Sequence, residues 1–158
     1  MCEFKEGREL KLENVLSLRK KMTQNEIQQE MIQIGNFMQQ NNLKKSGPVV
    51  TTTFAIEQNG TSPLLDMEIL VPLDKDIPLP EQYRMKKLFH LKNAVYARHE
   101  GNPQLLQNTL NSMVQYIQNN KLQQITPAYN ATVNEPKPGE GLDKLIIDAY
   151  IGVNPSIL

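Results

Sequence analysis

Apolar residues recur at Ile27, Met31, Ile34 and Met38, with spacings of four, three and four. That is one face of a helix with its 3.6-residue period. The same spacing returns at Leu106, Leu110, Met113 and Ile117, and Phe37 and Tyr116 sit at matching places beside the two stripes. The opposite faces are Gln and Asn, which solvate without charge. Around each stripe lie alternating or Val- and Thr-rich runs of strand character. They are Leu10 to Arg19, Val49 to Glu57 and Leu64 to Val71 in the first half, and Leu88 to His99, Ile125 to Asn134 and Leu145 to Val153 in the second. Each half therefore reads strand, helix, strand, strand.

Turn and cap chemistry marks the joints. Thr23 and Glu26 form a capping box, in which hydroxyl and carboxylate each satisfy a backbone donor at a helix start. Asn102 caps the second helix, with Pro103 at its first position, where a missing N–H costs nothing. Asn59-Gly60 is a hairpin signal, since both residues tolerate positive φ. Glu135 to Gly141, with Pro136, Pro138 and two glycines, reads as the second hairpin loop. Residues 1–9 are polar and are expected to be a flexible N-terminus. Residues 10–153 are expected to form a single pseudo-twofold domain, with repeat one at 10–73, a Pro78- and Pro80-bearing linker at 74–87, and repeat two at 88–153.

The halves align in sequence as well as in pattern. Moving Asn93–Pro127 back by 79 positions lays it on Asn14–Pro48 without a gap. Asn14/Asn93, Arg19/Arg98, Gln28/Gln107, Gln39/Gln118, Asn41/Asn120, Leu43/Leu122 and Pro48/Pro127 are identical. The closing strands match at an offset of 80, Glu68 to Leu73 on Asp148 to Val153, so one residue was gained in the second hairpin. Two copies argue for one pseudo-symmetric domain, because a solenoid needs about three or more repeats. Each copy carries an acid, Glu68 or Asp148, inside an otherwise apolar strand. A carboxylate is costly to bury unpaired, so each is expected to face a wet groove or to meet a cation. The plainer alternative is that both point into solvent from an outer sheet face. Packing the two units together is expected to leave a cleft along the pseudo-twofold axis.

Composition narrows the function. Seventeen basic residues balance seventeen acidic ones, so no global field recruits nucleic acid or an acidic membrane. Arg19, Lys20 and Lys21 adjoin and read as a solvated strand end. No apolar run approaches a membrane span and Met1 is not followed by a secretory signal. Cys2 is the only cysteine, which fits a reducing cytosol and rules out an internal disulfide. A cytoplasmic location is expected. His90 has no ligand-spaced companion and His99 reads as a solvated histidine, so neither a metal nor a cofactor is expected. No Ser-His-Asp set, Gly-rich phosphate loop or Cys-x-x-Cys pattern is present.

The run Ala94 to Gly101, the capped helix after it, Pro127-Ala128-Tyr129, and Asp148 to Val153 together resemble the gyrase-inhibitor-like small-molecule-binding family. This is the effector-binding domain of AraC-type and MerR-type regulators, within the SOUL superfamily. The resemblance implies an α+β fold with a duplicated βαββ repeat, a curved antiparallel sheet, two helices packed on one side and a central groove. It implies ligands that are amphipathic, often cationic and aromatic. Carried onto this chain, it makes Asp148 a ligand-facing acid, Glu68 its symmetry mate, and Tyr96, Tyr129 and Tyr150 the aromatic walls. The chain departs from the pattern in several places. It has no Trp, only 6% aromatic residues, an aspartate where a glutamate is usual, and Gly152 where proline is usual. No helix-turn-helix segment is expected before the domain, so direct transcription regulation is not expected. The expected function is a stand-alone cytosolic binder of a small amphipathic, cationic molecule, without chemistry. The alternatives are a protein-interaction module, as a homodimer or with a neighbouring gene product, and a small-molecule hydrolase using a pocket carboxylate as general base.

Overall fold

A computed structural model describes residues 3–58 and 60–154; Cys2 and Asn59, singled out above, lie outside them. The strands are β1 (Phe4–Met22), β2 (Val50–Glu57), β3 (Leu64–Pro72), β4 (Arg84–Glu100), β5 (Gln124–Asn134) and β6 (Ile146–Val153). The helices are α1 (Gln24–Gln40) and α2 (Leu106–Asn119), with single 3-10 turns at Pro103–Leu105 and Leu142–Lys144. The fold is α+β, with antiparallel strands and a duplicated βαββ order. The chain divides into two units: a first from Leu12 to Phe89, and a second that joins the residues up to Lys11 with those from His90 onward. Among the described residues no helix is long and apolar enough to cross a membrane.

Both helices begin and end as their local chemistry dictates. Thr23 accepts from the Glu26 amide while the Glu26 carboxylate accepts from the Thr23 amide, completing the capping box. Asn102 accepts from the Gln104 amide ahead of α2. At the C-termini the repeat extends to individual atoms. Asn42 and Lys121 both take positive φ, 54° and 58°. The Leu43 amide then donates to Met38 O at 2.8 Å, and the Leu122 amide to Ile117 O at 3.0 Å. This is the Schellman closure, with the following leucine folded onto the core. The Asn41 and Asn120 side chains each donate to the carbonyl four residues back. The shared Asn and Leu of the two copies are thus helix stops.

β1 starts at Phe4, not at Leu10. Its first residues show no alternation, because what orders them comes from elsewhere in the second unit. Phe4 stacks on Tyr116 with centroids 5.3 Å apart, Glu6 accepts from the Tyr116 hydroxyl, and Glu9 meets His90 Nε2 at 2.9 Å. The connection before β4 behaves the same way in the first unit. Ile77 and Leu79 pack on the core, and the buried Tyr83 stacks on Phe37 with centroids 5.7 Å apart. Arg19, Lys20 and Lys21 are not simply solvated: they pair with Asp66, Glu30 and Glu57.

The cores follow from the two periodicities. In the first unit Leu16, Leu18 and Met22 of β1 and Met67, Ile69 and Val71 of β3 meet Ile27, Ile34 and Met38 of α1. In the second, Val95 and Ala97 of β4 and Ala149, Ile151 and Val153 of β6 meet Met113 and Ile117 of α2. Successive strand residues point to opposite faces. The alternate residues, Ser17, Glu68, Tyr96, Asp148 and Tyr150, therefore lie on the faces turned away from the helices. Gly152 has a local cause. A Cβ there would lie 2.9 Å from Leu91 and Thr126 side-chain atoms, and its amide donates to Thr126 Oγ1 at 2.8 Å. Proline would lose that bond, which accounts for the departure at this position.

Urea unfolding separates the two kinds of contribution. Met113, fully buried, should cost about 2–5 kcal/mol as Met113→Ala through lost transfer energy and a cavity. Thr23→Ala, which removes a cap and no core volume, should cost about 1 kcal/mol.

Candidate functional site

Four of the five candidate residues come together, in the second unit. Tyr96 on β4, Tyr150 on β6 and Tyr129 on β5 are direct cross-strand partners, so they form one row on the face away from α2. The Tyr96 and Tyr150 rings are tilted at 50° with centroids 5.2 Å apart. Tyr129 is buried, while Tyr96 and Tyr150 are half-buried. Asp148 lies on the same face, opposite Arg98. Glu68, the fifth, belongs to the first unit.

Asp148 is buried, at 7% exposure, and does not point into solvent. Both its oxygens are occupied. Arg98 Nε donates to Oδ1 at 2.8 Å and Nη2 to Oδ2 at 3.0 Å, a bidentate fork, and the Tyr96 hydroxyl donates to Oδ1 at 2.9 Å. The fork in turn holds the Arg98 guanidinium well above its ordinary range. Arg8 extends its guanidinium over the Tyr96 ring, 5.1 Å from the centroid. Such a contact uses the negative ring face.

In the first unit Glu68 is likewise buried, at 4%, and accepts from Ser17 Oγ and from Lys86 Nζ, both at 2.5 Å. These groups line a cavity of about 520 Å³ with Asp66, Tyr83 and Arg84 among its walls. Its wall carries five cationic side chains and three carboxylates. Arg19 spends its charge on Asp66, in two bonds, and lies over the Phe54 ring at 3.7 Å.

The hydroxyl partners of the two acids also correspond between the copies. Shifting Tyr96 back by 79 gives Ser17, so a hydroxyl stands at the same place in both copies and donates to the acid in both. Lys86 and Arg8 gave no such signal, because each lies in a segment read as linker or loose terminus. His99 corrects the sequence reading. It is buried, at 5%, with Nε2 donating to Asn102 O at 2.9 Å and Nδ1 meeting Thr109 Oγ1 at 3.0 Å. Both ring nitrogens tie the end of β4 to the start of α2. Among the described residues no group of three His, Cys, Asp or Glu is placed to hold a metal.

No family model and no curated protein matches the sequence. Solved structures do match in fold. The C-terminal domain of EcmrR superposes with a TM-score of 0.73 at 14% identity, over 99% of this chain and 98% of that domain. EcmrR in its complex with DNA gives 0.76 at 15% identity, again over 99% of this chain, which spans only 58% of the EcmrR chain. A hydrolase from Listeria innocua gives 0.61 at 13% identity, over 97% of this chain and 91% of that one. Likeness at such identities is likeness of fold. The duplicated βαββ fold implied by the gyrase-inhibitor-like resemblance is the fold this chain has.

Burial pushes the Tyr96 and Tyr150 hydroxyls above their ordinary value, with Asp148 adding to both through its hydrogen bond or its charge. A group held protonated by the fold contributes stability that is full below its unfolded pKa, about 10 for tyrosine, and is lost as pH rises through the folded value. Tyrosinate absorbance should therefore rise late for these two residues. Asp148→Asn should bring the Tyr150 step to lower pH, and Tyr96→Phe should remove one late step.

Proposed function

We propose that this protein binds a small amphipathic, ring-bearing molecule, and that the second unit receives it on the row Tyr96, Tyr150 and Tyr129 beside Asp148. The observation that carries this reading is the tyrosine pair on a sheet face that its own helix leaves free, backed by a buried and fully bonded carboxylate. Tyrosine offers a large apolar face at low conformational cost, and Asp148 and Arg98 lock the Tyr96 ring in place. Rigid walls lower the cost of binding, because fewer rotamers freeze when the ligand arrives. The cavity beside Glu68 offers a second, polar place; its 520 Å³ lies within the range of about 300–1,000 Å³ usual for small-molecule sites. The likeness in fold to the EcmrR C-terminal domain is compatible with a ligand-receiving role. The single cysteine, Cys2, supports placing the protein in the cytosol.

A panel of ring-bearing amphiphiles of both charges, read by thermal shift and by ligand fluorescence against a chain that contains no Trp, tests this. At least one class should raise the melting temperature. Tyr96→Ala and Tyr150→Ala should abolish the shift, and Glu68→Gln should leave it if the tyrosine row is the site. A flat response across the whole panel overturns the reading.

A further inference from the structure

We infer that the tyrosine row of the second unit takes an aromatic anion, with a sulfonate, carboxylate or phosphate head held by Arg8 and Arg98 and the ring body laid against Tyr150 beside them. This deepens the reading above and rests on it. The case is one of local charge. Around the tyrosine pair stand two guanidiniums, Arg8 and Arg98, and one carboxylate, Asp148. Asp148 has both oxygens occupied by Arg98 and by the Tyr96 hydroxyl, so no lone carboxylate remains to greet a cation. The acid and the Tyr96 ring, two places where a cationic ligand would be stabilised, are already filled from within. Asp148 holds Arg98, and the face of Tyr96 holds Arg8.

The surplus is positive. Arg98 keeps 45% of its side chain exposed after committing Nε and Nη2 to Asp148. Arg8 is exposed and forms no ion pair among the described residues. Guanidinium recognises planar oxyanions with paired N–H donors, and stacks on aromatic rings at the same time. Arg8 already does the second, and among the described residues its donors make no ion pair, which leaves them for the first. A cation brought to the same row would meet two like charges, Arg8 and Arg98. An anionic head would pair with them instead, and Arg8 can keep its contact with the Tyr96 ring while it does so.

Three naphthalenes of similar size test this on the intact protein: a naphthalene sulfonate, a neutral naphthyl alcohol and a naphthyl trimethylammonium. The sulfonate should bind most tightly by fluorescence titration. Arg8→Gln, which removes the charge but keeps a polar side chain at an exposed position, should weaken the sulfonate about tenfold, as expected for losing a charge-assisted contact, and leave the alcohol unchanged. Tighter binding of the trimethylammonium compound, or an unchanged sulfonate affinity in Arg8→Gln, overturns the inference while binding itself stands. Binding of none of the three removes the binding reading along with it.

Discussion

The period-two alternation of the closing strands governs most of what this molecule can do. β3 and β6 send Ile69 and Val71, or Ala149, Ile151 and Val153, toward a helix. The residues between them have nowhere to go but the other face. An acid placed in such a strand is buried by the register, so it must find partners or destabilise the fold. Glu68 and Asp148 both find a hydroxyl and a cation. The polar networks on the helix-free faces are therefore consequences of burying the apolar half of the same strands.

The two copies solve that problem differently, and residue identities explain why. Arg19 and Arg98 occupy the same repeat position, directly across from the acid. Arg98 forks onto Asp148, yet Arg19 turns to Asp66. Two residues before the acid, the first copy has Asp66 and the second has Ile146, so only Arg19 has an alternative. Glu68, one methylene longer, is then reached by Lys86 from the start of β4. The hydroxyl partner differs as well. Ser17 is small and leaves space beside Glu68, whereas Tyr96 fills the corresponding place and supplies a ring. One repeat thus yields a polar cavity in one unit and an aromatic row in the other.

Much of this was legible in advance. The helix stripes, the capping box and the Asn and Leu stops are local codes, and each appears where its pattern lies. The acids could be singled out because a carboxylate within an apolar run breaks the pattern. Their partners could not, since a cross-strand pairing such as Arg98 with Asp148 depends on register, which hydrophobic alternation alone does not state. The polar start of β1 was misread for a related reason. Its order comes from Tyr116 and His90, roughly a hundred residues on, and no local propensity carries that. His99 was misjudged because a histidine beside Glu100 looks exposed until Thr109 and the Asn102 carbonyl are brought against it.

A longer reading of the repeat recovers part of what alternation missed. The offset of 79 carries Phe4 onto Tyr83 and Tyr116 back onto Phe37. The two ring pairs they make, Phe4 with Tyr116 and Tyr83 with Phe37, have the same interplanar angle of 55°. The same offset sets the start of β1 against the start of β4. Each of these segments brings a cation to the helix-free face of a unit, Arg8 over Tyr96 and Lys86 onto Glu68. Cation delivery by the leading end of a long strand is therefore a property of the duplicated design. In the first unit that cation is spent on the acid. In the second, Arg98 has already taken the acid, and Arg8 is left with a ring face and, among the described residues, no ion pair. The charge preference of the tyrosine row follows from this difference in bookkeeping between two copies of one plan.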